Sequence, residues 1–185
     1  MIKLFMIKKL FSFISIIIVI VISPFIGSFF SQKHYTEMDQ EIKSSVFDAY
    51  DEKNLLVFFG YVGCIDICTP RLNEISSVYK KLKKENIDVG VVFINTSKLQ
   101  DSELSELFAK SFHKDFKGVY LEGEALNNLK KEFKVYSAPS FSKPDEIDHT
   151  SFLYLLKKVK SKYYLKIIYT SVPLDHCVSS KEFID

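Results

Sequence analysis

The fold and the chemistry of this 185-residue chain meet in one segment, residues 55–70, which reads LLVFFGYVGCIDICTP. The apolar run at its start predicts a buried β-strand that ends at Gly60, and Pro70 suits the first turn of an amphipathic helix. Cys64 and Cys68 lie between these two elements. On one helical turn their Cα atoms would be about 6 Å apart, which suits a disulfide or a shared small ion. We therefore predict that this thiol pair is the chemical centre of the protein.

Strand and helix patterns alternate beyond this segment. Strands are predicted at 89–94 and 119–121, helices from Pro70, from Ser102 and over 125–133, an exposed loop at 137–147, and an antiparallel hairpin from 152–156 and 163–169. Strand–helix pairs followed by a hairpin predict an α/β fold of the thioredoxin-like type. In that fold the reactive cysteines lie where the first core strand meets its helix, which is where Cys64 and Cys68 fall.

An apolar stretch near the N-terminus predicts a membrane anchor. Residues 11–30 carry no charge, which approaches the roughly 20 apolar residues that cross a bilayer. Lys3, Lys8 and Lys9 precede this stretch, so the positive-inside rule places the N-terminus in the cytoplasm. A cleaved signal peptide is the alternative, although no small-x-small cleavage pattern follows the run. The expected organisation is a cytoplasmic N-terminus (1–9), a transmembrane anchor (10–30), a juxtamembrane stalk (31–50) and a folded domain (51–185).

Charge and cysteine content narrow the possible functions. Once the three lysines of residues 1–30 are set aside, 22 basic and 23 acidic residues remain, so no basic surface for nucleic acid is expected. Three cysteines in an exported domain cannot all pair within one chain. Cys64 and Cys68 form the functional unit, and Cys177 is left over without an assigned role.

A second motif lies far along the chain from the cysteines. Asp148-His149-Thr150 follows Cys68 at a distance, and a Tyr-Leu pair lies four positions beyond Thr150. A Gly-Tyr turn into Cys-x-x-x-Cys, combined with this Asp-His-Thr, resembles the SCO/SenC family of membrane-anchored copper-handling proteins. The resemblance covers roughly residues 50–170.

This resemblance implies a copper site made of Cys64, Cys68 and His149. Thiolate pairs select soft Cu(I), and an imidazole completes a three-coordinate site or helps to accommodate Cu(II). The implied function is that of a metallochaperone that delivers copper to the cytochrome c oxidase copper site during assembly. Its implied partner is the copper-acceptor subunit of that respiratory oxidase. The implied location is the bacterial inner membrane, in a single pass, with the folded domain facing the periplasm.

The chain departs from the family pattern in places that leave the three expected ligands intact, and two other functions stay open. Ile65 and Thr69 stand where the family usually has proline, and 95–98 lacks the aspartate and proline of a family Ser-x-Asp-Pro stretch. One alternative is a periplasmic thiol:disulfide oxidoreductase that uses Cys64 and Cys68 on the cysteines of a copper acceptor. Another is a tethered interaction module in which the same pair forms a structural disulfide.

Overall fold

Within the described residues there are eight strands and three α-helices, and over residues 54–132 strands and helices alternate as the sequence predicts. The computed structural model describes residues 18, 35–97, 101–139, 147–170, 173–174 and 177–184, and for 137–139 and 147–149 it describes the backbone alone. The helices are α1 (Cys68–Lys84), α2 (Ser102–Phe112) and α3 (Gly123–Glu132). The strands are β1 (Tyr35–Glu41), β2 (Asn54–Gly60), β3 (Val89–Asn95), β4 (Lys117–Tyr120), β5 (Ser137–Pro139), β6 (Ile147–His149), β7 (Leu153–Val159) and β8 (Lys162–Tyr169). These elements belong to one compact unit, His34–Asp185.

The central sheet has six strands in the order β1-β8-β7-β2-β3-β4. Strands β2, β3 and β4 run parallel, which requires the crossover helices, whereas β7, β8 and β1 add to the other side of β2 as antiparallel strands. Strands β5 and β6 pair separately. The predicted α/β architecture with an antiparallel end is therefore confirmed.

Helices cover both faces of this sheet, which explains why β2 is apolar at every position after Asn54. Leu56 and Phe58 face the layer of α1 and α2, while Leu55, Val57 and Phe59 face the layer of α3. Consecutive side chains point to opposite faces, so a strand buried on both sides reads as a continuous apolar run. Strand β2 therefore lies in the interior of the sheet, between β7 and β3.

The topology brings two segments that are distant in sequence to the same end of the sheet, the carboxyl end of β2. Strand β2 ends at Gly60, and the cysteine segment follows it. Strand β7 is antiparallel to β2 and starts with Leu153 opposite Phe58. The residues that precede β7, which include His149, therefore lie at the end of the sheet where the chain leaves β2 toward Cys64.

The expected stalk at 31–50 is wrong from Tyr35 onward. Residues 35–41 form β1, an edge strand on β8, and Phe47 is 1% exposed in the α3 layer. The sequence YTEMDQE shows little apolar alternation because the strand lies at an edge, where polar side chains face water. Lys166 and Asp39 form an ion pair 2.6 Å long across β8 and β1. The folded domain thus begins before residue 51.

Smaller corrections concern element ends. Asp101, and not Ser102, caps α2, since its side chain accepts the backbone N–H of Leu104 at 2.8 Å. The predicted loop at 137–147 begins in β5 and ends in β6, and residues 140–146 lie outside the described part. Ala125 faces solvent on α3, whereas Leu129 and Phe133 are buried as expected.

The expected anchor, residues 10–30, lies outside the described residues apart from Ile18. Within the described part of the chain, no helix combines the length and the hydrophobicity needed to span a bilayer.

Replacing Phe47 tests whether the segment before β2 belongs to the folded domain. Phe47 packs with ring centroids 5.8 Å from Phe133 and 6.2 Å from Tyr163. We expect Phe47→Ala to lower the free energy of unfolding by about 3–5 kcal/mol, as for other buried aromatic truncations. Urea denaturation measures this loss, with exposed Lys43→Ala as the control. A loss no larger than that of the control would contradict the assignment.

Candidate metal centre

The two cysteines lie on either side of the start of α1 and not on one helical turn, as the sequence had suggested. The helix begins at Cys68, and Cys64 precedes it in a turn. The carbonyl of Cys64 accepts both the backbone N–H of Thr69 at 3.2 Å and its hydroxyl at 2.9 Å. This turn still brings the two side chains together, because the Cys64 sulfur accepts the backbone N–H of Cys68 at 3.2 Å.

Both sulfurs are buried in the apolar layer beneath α1. Cys68 is fully buried, Cys64 is 4% exposed, and the two are thiols that form no disulfide. Gly60 makes room for them, since a Cβ atom there would stand 2.8 Å from the Cys68 sulfur and 3.0 Å from the Phe93 ring. An apolar, desolvated thiol pair is a suitable donor set for a soft cation.

Hydrogen bonds from the neighbouring strand fix the backbone of Gly60. Thr96, which follows β3, donates its backbone N–H to the Gly60 carbonyl at 2.7 Å and its hydroxyl to the same oxygen at 2.9 Å. Asn95 orders the chain beyond this point by accepting the N–H of Ser97 at 3.0 Å and by donating to the Ser105 hydroxyl at 2.9 Å. The stretch that departs from the family's Ser-x-Asp-Pro pattern thus has its own hydrogen bonds, and it supports the floor of the thiol pair.

The two thiols are electrostatically unequal. The pKa of Cys68 is raised, first because its thiol hydrogen bonds with Cys64 and second because it is buried. The Cys64 sulfur also accepts an N–H at the start of a helix, where negative charge is favoured. We therefore expect negative charge to develop on Cys64 before it develops on Cys68.

The backbone of His149 lies at the same sheet edge as the thiol pair. His149 in β6 pairs with Ser137 in β5, and the N–H of Thr150 donates to the Tyr136 carbonyl at 3.1 Å. The next residue, Ser151, accepts a hydrogen bond from the Arg71 side chain on α1. The His149 side chain lies outside what the structure describes, so its role as a ligand stays a prediction.

No complete metal cage is present among the described side chains: no three histidine, cysteine, aspartate or glutamate residues there stand close enough to hold an ion. Among the described side chains, Cys64 and Cys68 form a pair of possible sulfur donors. Cys177 lies in the same apolar layer, with its thiol directed to the Pro173 carbonyl at 3.4 Å.

Sequence reasoning overlooked Arg71, the chain's sole arginine. It is 3% exposed on the buried face of α1, and its Nε atom donates to the Ser151 carbonyl at 3.0 Å. The signal was its spacing, since a residue three positions after Cys68 lies on the same helix face.

Gly60→Ala tests whether the absence of a side chain at residue 60 makes room for the Cys68 sulfur. We expect it to lower the free energy of unfolding by about 1–3 kcal/mol, because the added methyl group overpacks the site. In a Cys68→Ala background the loss should be smaller, since the nearest atom is gone and only the looser contacts with the Phe93 and Phe58 rings remain. Urea denaturation of the four proteins gives the coupling between the two positions. Equal losses in both backgrounds would contradict the role assigned to Gly60.

Alkylation tests the inequality of the two thiols. In the reduced, metal-free Cys177→Ser protein at pH 7, iodoacetamide should modify Cys64 at least about 10-fold faster than Cys68, because one pKa unit is tenfold in thiolate. The raised pKa keeps Cys68 protonated as the pH rises to 9, so its rate should respond weakly to pH there. Peptide mass spectrometry measures both rates. Faster modification of Cys68 would refute the assignment.

Comparisons with known proteins agree with this geometry. The family model described as SCO1/SenC matches residues 28–170. An SCO2-like protein of Rickettsia prowazekii is 31% identical over 135 residues, which cover 70% of this chain and 62% of that protein. The first curated relatives are thus matched over only 57–62% of their own length.

Solved structures show the same fold. Apo Sco1 from Thermus thermophilus superposes with a TM-score of 0.53 at 26% identity, covering 74% of this chain and 82% of that chain. Yeast Sco1 with copper bound gives 0.51 at 26% identity, covering 60% and 64%. The thioredoxin-like α/β fold expected from the element order is therefore that of the Sco structures. By its family match, its relatives and its fold, the chain belongs to the SCO1/SenC family.

Proposed function

We propose that this protein binds one copper ion through Cys64, Cys68 and His149, and that it delivers the ion to the copper site of a respiratory cytochrome c oxidase during assembly. The observation that carries the proposal is the buried thiol pair at the sheet edge where the backbone of His149 also lies. Yeast Sco1, a relative of similar fold, has been solved with copper bound. The Sco family is associated with cytochrome c oxidase assembly.

The chemistry of the pair fits copper as cargo. Two sulfurs in an apolar layer suit Cu(I), and an imidazole nitrogen would complete a three-coordinate site or help to hold Cu(II). Ligation requires both thiolates, so copper must displace the proton that Cys68 keeps. Copper uptake by the thiol pair therefore releases protons.

Handover to an acceptor would take place by ligand exchange at the surface above Cys64. An acceptor thiolate would replace one donor at a time, so that the ion is never free. The residues between the two cysteines are exposed, with Ile65 at 76%, and Asp66 is the one charge among them. An acceptor would thus meet a mostly apolar surface next to the metal.

The proposal includes the location of the protein. Residues 10–30 would anchor it in the bacterial inner membrane in a single pass, after a short cytoplasmic segment (1–9). The folded domain would face the periplasm, next to the copper-acceptor subunit of the oxidase. The absence of charge from residues 11–30 and the lysines before them support this arrangement.

A thiol:disulfide oxidoreductase is the second candidate, and the adjacent thiols of Cys64 and Cys68 favour it. In that reaction a thiolate of the pair attacks the disulfide of a copper acceptor, and the other cysteine then resolves the mixed disulfide. The pair ends as a disulfide and the acceptor as a dithiol. This chemistry needs both sulfurs but not His149.

Anaerobic Cu(I) titration of the protein separates the two candidates. Wild type should bind about one copper with two sulfur neighbours and one nitrogen neighbour by X-ray absorption, and Cys64→Ala should abolish stable binding. His149→Ala should weaken copper retention by about 100-fold, because losing a direct ligand costs at least as much as losing an outer-shell partner. Dithiol exchange with a model disulfide should be nearly unchanged in that variant.

His113→Ala is the matched control for the histidine. His113 packs against Tyr79 with ring centroids 4.8 Å apart at the far end of α2, so its loss should leave copper binding intact. Unchanged copper binding in Cys64→Ala would refute the site. Equal effects of His149→Ala on copper retention and on dithiol exchange would remove the case for His149 as a ligand.

A further inference from the structure

A buried arginine links the helix of the cysteines to the segment of the histidine. Arg71 lies three residues after Cys68 on α1, and its side chain is 3% exposed. Its Nε atom donates to the Ser151 carbonyl at 3.0 Å, and a terminal nitrogen pairs with Glu74 at 3.0 Å. Ser151 is 80 residues away in sequence, so this hydrogen bond is a long-range tertiary contact.

Packing alone does not explain an arginine at this position. Its neighbours Leu72 and Ile75 are fully buried in the α1 layer, where an apolar side chain would fill the space without a desolvation cost. Burial lowers the pKa of Arg71, and the pairing with Glu74 opposes that effect. What the guanidinium adds over an apolar residue is a directed hydrogen bond to a particular carbonyl.

The acceptor of that bond lies two residues after His149. Two extended residues span at most about 7 Å, so the His149 backbone is close to the point that Arg71 holds. The pairing of β5 with β6 and the bond from Thr150 to Tyr136 order this connection internally. Arg71 joins it directly to the helix that starts at Cys68.

We propose that Arg71 is a positioning residue that fixes the connection carrying His149 against the helix carrying Cys68, and thereby sets how firmly a bound copper ion is retained. The second half of the proposal rests on the function proposed above. The first half is a statement about the metal-free protein and is measurable without copper.

The physical effect is preorganisation. A ligand on a loose connection loses conformational freedom when the metal binds, and this loss weakens binding. A connection that Arg71 already holds in place loses less conformational freedom when the metal binds. Binding of the third ligand is therefore more favourable. Removing the tie should weaken copper retention while leaving both sulfur ligands in place.

Arg71→Met tests the proposal, since methionine keeps most of the apolar volume and removes the donor. In the metal-free protein, hydrogen exchange within 147–153 should accelerate by about 10-fold or more, because a hydrogen bond from a charged group is lost. Strands β2 and β3 should stay protected. The Cu(I) dissociation constant should rise by about 10-fold, with two sulfur neighbours retained and a weaker nitrogen contribution in X-ray absorption.

Two matched variants identify which contact matters. Lys158→Met removes a comparable tie at the other end of β7, where Lys158 donates to the Tyr50 carbonyl at 2.6 Å. Glu74→Gln removes the ion pair of Arg71 but not its bond to Ser151. Neither variant should change exchange within 147–153 or copper affinity. If Arg71→Met does not fold, Arg71→Lys, which keeps the charge but not the planar donor, should show the same local pattern at lower amplitude.

Each outcome decides a separate point. Unchanged exchange within 147–153, or an equal rise throughout the sheet in Arg71→Met and Arg71→Lys, would overturn the tie. Faster hydrogen exchange within 147–153 in Arg71→Met, with unchanged copper affinity, would overturn the role of Arg71 in copper retention. If wild type binds no copper, the proposed function fails, while the exchange data still decide whether Arg71 holds the connection.

Discussion

The close approach of the Cys68 sulfur to the backbone of Gly60 is the constraint on which the site depends. A residue with a side chain at the end of β2 would occupy the space that the sulfur fills. Thr96 holds the Gly60 carbonyl with two hydrogen bonds, so the floor of the site is fixed by the neighbouring strand as well as by β2 itself. The thiol pair is therefore built at the carboxyl end of two central, parallel, hydrogen-bonded strands.

The turn between the cysteines shows how a departure from the family pattern is accommodated. Thr69 follows Cys68 where the family usually has proline. Its N–H and its hydroxyl both bond to the Cys64 carbonyl, and a proline could not make the first of these bonds. The turn is thus closed by hydrogen bonds and not by ring stiffness, and the two sulfurs remain adjacent.

The segment that carries His149, the third predicted ligand, is positioned by a different physical route. Strand β7 runs antiparallel to β2, and this direction places the start of β7 beside the end of β2. Arg71 then bonds to the connection just before β7. Sheet direction brings the histidine segment to the correct edge, and one buried side chain ties it to the cysteine helix.

The sequence by itself determined much of this protein. The apolar run of β2, the helical spacing after Pro70 and the Cys-x-x-x-Cys and Asp-His-Thr motifs were sufficient for the α/β fold, the family and the candidate donors, because local periodicity and residue chemistry are written directly in the chain. Only the tertiary structure decided that 35–41 is an edge strand, that Cys68 is fully buried beneath α1, and that Arg71 is buried against Ser151. Each of these depends on partners far away in sequence: the β8 strand, the apolar layer under α1, and the carbonyl of a connection 80 residues away. Local patterns do not identify such distant partners.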